Sequence, residues 1–338
     1  MRSWLAPIGS AALFALGLLV GALAVEIVPA GTAPAPGEGL GAALADEIAY
    51  EPGPRDASVY EGLGTWVDAF DFAPAYSGGE PSVTVDDLEE MAALGVRTLY
   101  LQVSRDDDRA EGLILDTELV SRFLLRAHRH GIAVVGWYLP RFGDVGRDLE
   151  HLEAVDTFEV AGHRFDGVGI DIEWTGDVED PIERGARLVE LTERYDEIAT
   201  VDAIGGIVLP PVLLEVVNDQ FWPSFPWAEL EPLIDVWLPM SYWTDRRSDS
   251  GYRDGFTYNE ESTRRLRRNV GNPDAVVHGI GGIGDAVDAA QLGDFAESLA
   301  ATDSIGGSIY DWNTLDDSAR RALRDLFVSG PAADLPSS

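Results

Sequence analysis

Asp166-Gly167-Val168-Gly169-Ile170-Asp171-Ile172-Glu173 is the stretch on which the reading of this chain turns. Side chains alternate along an extended strand, so Val168, Ile170 and Ile172 share one face while Gly169, Asp171 and Glu173 share the other. The first face suits a covering helix. The second presents two carboxylates, which are costly to bury for structure alone, and Gly169 leaves room beneath them. A strand that is apolar on one side and acidic at the end of the other fits the wall of a parallel barrel, whose chemistry sits at the C-terminal strand ends.

Similar segments recur on both sides of this one. Upstream lie Gly64–Phe70, Arg97–Val103 and Ala133–Tyr138; downstream lie Ile204–Leu209, Ile234–Met240, Ala275–Ile280 and Gly306–Asp311. Helical patterns fill most of the gaps. Asp86–Gly95 and Asp116–Gly131 each open acidic and stop at glycine. Pro181 marks a helical first turn, and Ser262–Asn269, Ala286–Ala301 and Asp316–Phe327 follow. Strands alternating with helices imply parallel βαβ units, and eight of them imply closure into an α/β (β/α)8 TIM barrel. An open doubly wound sheet is the alternative. It lacks support because no glycine-rich phosphate turn follows the first strand.

Residues 59–330 carry this pattern. Residues 1–28 read as a signal peptide or an N-terminal membrane anchor. Trp4 to Val25 is almost wholly apolar, close to the length of a span, and Ala22-Leu23-Ala24 fits a cleavage site. Either reading has the N-terminal segment contact membrane and places the barrel outside the cytoplasm. Residues 29–58, rich in Pro, Gly and Ala, read as a flexible linker, and 331–338 as a disordered tail. The 338 residues hold 59 acidic side chains against 24 basic ones, a net charge of -35. Every basic residue is arginine. Such a chain repels phosphate backbones, so nucleic acid is excluded as a partner. The surplus has two readings, a generally acidic proteome or a surface suited to a cationic substrate or Ca2+. With no cysteine, thiolate catalysis, disulfides and Cys-ligated zinc are excluded. No cofactor or metal site is expected, since His128 and His130 point to different faces of their helix.

The strand ends are rich in aromatics and carboxylates: Asp68, Asp71, Gln102, Ser104, Arg105, Trp137, Tyr138, Arg141, Asp171, Glu173, Trp174, Met240, Tyr242, Trp243, His278, Tyr310, Asp311 and Trp312. Flat rings against sugar C–H surfaces, with carboxylates between them, suit a polysaccharide or oligosaccharide. Repulsion between charges about 5–6 Å apart is worth roughly 3 kcal/mol at an effective dielectric near 20. That is about two pKa units, enough to make Glu173 a general acid at neutral pH with Asp171 assisting. A competing reading has Arg105 or Arg141 neutralise the pair as an ordinary ion cluster. Asp68, Gln102, Trp137, Tyr138, Trp174, Met240, Tyr242, Trp243, His278, Asp311 and Trp312 are the expected substrate contacts.

At these residues the sequence resembles glycoside hydrolase family 18, the chitinase-like barrels, and related uncharacterised glycosidase-like barrels. That family carries Asp-Gly-x-Asp-x-Asp-x-Glu on strand four, where this chain has Gly169 in place of the second Asp. Met240-Ser241-Tyr242 matches the family's sixth strand, and Gly306-Gly307 its eighth, with Asp311 standing where the family has Trp and Trp312 one residue late. The resemblance implies that Glu173 is the acid, that Asp171 orients an N-acetyl group attacking the anomeric carbon, and that Tyr242 holds the same group. A family 25 lysozyme-like reading shares the Asp-x-Glu element. The clan with glutamates on strands four and seven is disfavoured, because strand seven has no carboxylate. Two functions follow: a retaining glycoside hydrolase, or a non-catalytic carbohydrate-binding barrel at the cell surface.

Overall fold

The computed structural model describes residues 57–201 and 203–337. Eight parallel strands alternate with helices: β1 Gly62–Val67, β2 Thr98–Ser104, β3 Ala133–Tyr138, β4 Gly167–Ile172, β5 Ile204–Val208, β6 Val236–Ser241, β7 His278–Ile283 and β8 Gly306–Tyr310. Each pairs in parallel with its sequence neighbours, and β8 returns to β1 to close the barrel. All eight expected segments are strands of this barrel. The seventh begins at His278, three residues later than expected, which moves that histidine from the end of its strand to the start. A two-stranded ribbon, Glu159–Val160 with His163–Arg164, precedes β4.

The outer helices are α1 Asp87–Ala93, α2 Thr117–Arg129, α3 Val145–Asp156, α4 Pro181–Asp196, α5 Trp227–Leu230, α6 Gly255–Val270, α7 Ala289–Ala301 and α8 Asp317–Val328. Aspartate starts most of them. Asp116, Asp144, Asp180, Asp254, Asp288 and Asp316 each accept a backbone N–H of the first turn. A carboxylate there satisfies donors the helix leaves unpaired and faces the positive end of its dipole. Part of the acidic surplus therefore has a local structural use.

The barrel is filled by aromatic layers. The turn Ala57–Tyr60 carries Tyr60 under the floor, where its hydroxyl donates to the carbonyls of Val168 and Ala203, both at 3.2 Å. Gly205 makes this possible, since a Cβ there would lie 2.8 Å from that hydroxyl. Above it, Trp66 Nε1 donates to Ser308 Oγ at 2.8 Å, and Ser308 Oγ meets His278 Nε2 at 3.0 Å. His278 Nδ1 lies 2.8 Å from the Tyr60 carbonyl. A carbonyl only accepts, so the proton sits on Nδ1 and Ser308 donates to Nε2. Trp66 stacks on Tyr100 with ring centres 4.2 Å apart.

Two boundaries differ from expectation. Ala57 and Ser58 were assigned to the linker but belong to the turn that carries Tyr60. The tail folds back: Ala332 is buried, its N–H reaches the Leu326 carbonyl, and Leu335 packs against the core. Those two apolar side chains find a hydrophobic surface that the Pro and Ser content concealed. The leader or anchor at 1–28, and the linker up to 56, lie outside the described residues. Among the described residues no helix is long and apolar enough to cross a membrane.

Candidate active site

β4 aims its acidic face into the barrel. At Gly169 an added Cβ would lie 2.9 Å from Ile207 Cδ1 and 3.0 Å from Trp137 Cβ, so the expected space is filled by these neighbours. One step up the same face is Asp171, 6% exposed, and above it Glu173 is half-buried at the strand end. Oδ1 of Asp171 is buried with no hydrogen-bond partner among the described residues. Burial and then the charge of Glu173 push the Asp171 carboxyl well above the usual range, with Arg105 pulling the other way. Burial raises Glu173 as well. Two carboxyls so placed hold on to a proton, which is the state a general acid needs.

The arginines do not neutralise the pair by contact. Arg141 pairs with Asp177 at 2.7 Å and lies over the half-buried Trp174 ring at 5.3 Å. Arg105 pairs with Asp107 at 3.1 Å and donates to Gln102 Oε1 at 3.3 Å. Only the field of Arg105 reaches Asp171.

Tyr242 follows β6, above the buried Met240. Its phenol is pushed well above the usual range by burial, then by the charges of Glu173, Asp171, Asp311 and Asp245. It therefore stays a neutral donor facing carboxylates from more than one wall. Tyr310, at the end of β8, sits 5.8 Å from Tyr242 ring to ring and donates to Asp68 Oδ2 at 2.7 Å.

Across the mouth from β4 lies a second carboxylate group. Asp68, Asp71 and Asp311 are buried, with carboxylate oxygens within 4.8 Å of one another. Among the described residues they are the only such trio with metal-ligand spacing. Asp68 caps the turn Ala69–Phe72 and exchanges hydrogen bonds with Asp71. Gln102 is buried beside them and accepts from the Ala69 N–H at 3.0 Å. Burial, then Asp68, then Asp311, raise Asp71 to about 7. Burial and the Asp68 charge raise Asp311 too, against hydrogen bonds from Thr314.

Asp171, Glu173, Trp174, Met240, Tyr242, Trp137, Asp68, Gln102 and Asp311 thus stand at or just under the mouth. Four expected contacts do not. Tyr138 follows the inward Trp137 and so points out, donating to Asp148 at 2.6 Å and stacking on His151. Trp243 is fully buried against Phe295. Trp312 is 2% exposed beneath the Arg320 guanidinium, which lies 3.8 Å over its ring. His278 stands at the barrel floor, because its strand begins there. Asp71 and Tyr310 stood among the strand-end residues read from the sequence but not among the expected substrate contacts. The alternation Gly306, Ser308, Tyr310 already points Tyr310 inward, and the one-turn spacing of Asp68 and Asp71 is a capping signal.

The sequence matches no family model and no curated protein. Solved structures do match the fold. The endo-β-1,4-mannanase of Thermotoga petrophila aligns over 84% of this chain and 80% of its own, at TM-score 0.60 and 10% identity. A class V chitinase from Pseudomonas fluorescens Pf-5 covers 80% and 99%, at TM-score 0.55 and 10% identity. The catalytic domain of chitinase B from Arthrobacter TAD20 covers 84% and 98%, at TM-score 0.52 and 9% identity. The chain is a (β/α)8 barrel with the fold of these glycosidases, and identities this low speak for the fold alone.

Proposed function

We propose that this chain is a retaining glycoside hydrolase acting on an extracellular polysaccharide, N-acetylated at the sugar that is cleaved. The observation that carries the reading is the pair Asp171 and Glu173, inward on β4 at the barrel mouth, both with proton affinities raised by burial and Asp171 also by the charge of Glu173. Glu173 gives its proton to the glycosidic oxygen as the bond to the anomeric carbon breaks. The acetamido oxygen of the same sugar takes the place of the leaving group, with its N–H donated to Asp171 and its carbonyl held by the Tyr242 hydroxyl. Water then displaces the acetamido oxygen from the anomeric carbon, regenerating the acetamide, and the Glu173 carboxylate accepts the water's proton, restoring the acid. The orphaned Oδ1 of Asp171 is the acceptor this scheme uses. The apolar run at residues 4–25 supports export of the barrel, cleaved or anchored.

One observation favours a second reading, a carbohydrate-binding barrel without turnover. The space of the motif's second Asp is occupied by Trp137 and Ile207. The test is turnover of chitin, peptidoglycan and aryl glycosides by the native chain and by Glu173→Gln. The variant keeps the shape but cannot give up a proton, so it should lose about 10²–10⁴-fold in rate while still binding. Equal turnover by both removes Glu173 from the mechanism. Binding without any turnover by the native chain selects the second reading.

A further inference from the structure

Outside the mouth, one buried histidine keeps a ring nitrogen that nothing satisfies. His151 on α3 is fully buried, and its ring lies flat on that of Tyr138, with 4.7 Å between centres. Its Nδ1 stands 2.8 Å from Ser104 Oγ, at the end of β2. That hydroxyl also lies 2.6 Å from the Leu113 carbonyl. A carbonyl only accepts, so the single hydroxyl proton goes to it, and the proton of the neutral ring sits on Nδ1. Nε2 is left as a bare lone pair, buried and without a donor among the described residues. It faces Asp106 Oδ1 at 3.5 Å, so two acceptors meet with no proton between them. The same Oδ1 accepts from Arg147 Nε at 3.3 Å. The grouping has the residue types of a hydrolase triad, but Ser104 is fully buried and its proton is committed, so it offers no nucleophile.

We propose that Ser104, His151 and Asp106 form a proton-operated latch between α3 and the loop of residues 105–116 that follows β2. With the ring neutral, Asp106 is held by Arg147, whose side chain is 43% exposed. A proton arriving at Nε2 turns the facing acceptors into an ion pair. The imidazolium takes Oδ1 from Arg147, which keeps Glu150 at 3.1 Å. The loop is then fastened to a ring wedged between Ser104 and Tyr138 instead of to a solvated guanidinium. Its Arg109 packs over Tyr76, and its Arg105 over Phe70, which stands between Asp68 and Asp71 in the turn after β1. The latch therefore reaches the edge of the mouth. The other charged groups around the ring are already paired. Asp148 accepts from the Tyr138 hydroxyl and from the Arg141 and Phe142 N–H groups, and the Arg141 guanidinium is on Asp177. Burial and then the Arg147 charge hold His151 below the free imidazole's 6.5, while Asp106 draws it back up. The latch is thus released at neutrality and closes in acid.

The experiment is nitrogen-15 NMR of the histidine rings in the full chain, titrated from neutrality into acid. The chain has five histidines, and His151→Gln identifies the signal that belongs to His151. At neutrality Nε2 should give the resonance of a bare ring nitrogen and Nδ1 that of a protonated one. The midpoint should lie below 6.5. It should fall further, by about one unit or more, in Asp106→Asn, since an opposite charge this close moves a pKa by about 1–3. In Arg147→Gln it should rise. Amide exchange of the loop, corrected for its intrinsic pH dependence, should slow as His151 titrates in the native chain and not in Asp106→Asn. Asp106 is a partly exposed loop residue, so its variant keeps the test valid if His151→Gln does not fold, by marking which of the five midpoints moves. A proton on Nε2 at neutrality overturns the proposal, as does a midpoint indifferent to Asp106→Asn. Loop exchange that ignores the titration also overturns it and leaves His151 a packing residue.

Discussion

Restoring the motif's missing carboxylate by Gly169→Asp should damage this protein. The Cβ alone would arrive 2.9 Å from Ile207 Cδ1 and 3.0 Å from Trp137 Cβ, one neighbour in each adjoining strand. Overpacking of this kind costs about 1–3 kcal/mol. The added carboxyl would sit one step below Asp171, whose own carboxyl already resists ionising. A second charge at about 5–6 Å adds roughly 3 kcal/mol, or forces the new group to stay protonated and unpaired at a similar cost. Gly169→Ala should therefore destabilise by about 1–3 kcal/mol and Gly169→Asp by about 4–6. At roughly 2 °C per kcal/mol for a domain this large, Tm should fall by about 2–6 °C and 8–12 °C. Thermal unfolding followed by near-UV circular dichroism measures both. A Gly169→Asp variant as stable as the native chain would refute the packing argument and show that β4 has room for the second Asp.

Trp312→Ala and Trp243→Ala should each lose about 3–5 kcal/mol of stability and leave glycan affinity unchanged. Trp174→Ala should do the reverse, weakening binding by about 1 kcal/mol or more. Thermal unfolding paired with glycan titration separates the two classes, and glycan binding lost in Trp312→Ala would restore that residue to the mouth. Burial lowers His278 to about 4, from the 6.5 of a free imidazole. Its contribution to stability is complete above pH 6.5 and is lost as pH falls toward 4, because the unfolded chain takes up the proton first. The native chain should therefore lose about 3 kcal/mol more than His278→Gln over that range, as read by denaturant melts. Parallel pH curves for the two would contradict the neutral, Nδ1-protonated assignment.

The alternation of β4 was readable because strand geometry forces it: Gly169, Asp171 and Glu173 can share a face only one way. The eight-fold repetition was readable for the same reason, since each strand needs an apolar outer face for its helix. Other placements depended on register, which spacing alone leaves open. His278 was misplaced because Ala275-Val276-Val277 reads as strand, whereas pairing in this region begins at His278 apart from one bridge between Val277 and Trp237. Tyr138 and Trp137 are neighbours, so only one of them can face inward. Trp312 read as a rim residue because nothing local reveals that Arg320, eight residues on, folds over its ring. The Asp68, Asp71 and Asp311 trio joins β1 to β8 across the closure of the barrel. That juxtaposition exists only once the ends of the fold have met.

The central claim is that Glu173 acts as an acid whose proton is retained by burial and by Asp171. Its most direct test is the pH dependence of kcat/KM, measured for the native chain and for Asp171→Asn on whichever glycan is turned over. The native basic limb should lie above the ordinary glutamate range, since burial raises Glu173. Asp171→Asn removes the neighbouring charge and should move that limb to lower pH, by up to about two units if the charges stand about 5–6 Å apart, in addition to slowing the reaction. A basic limb that stays in place in Asp171→Asn would contradict the account, because the titrating acid would then not be the partner of Asp171.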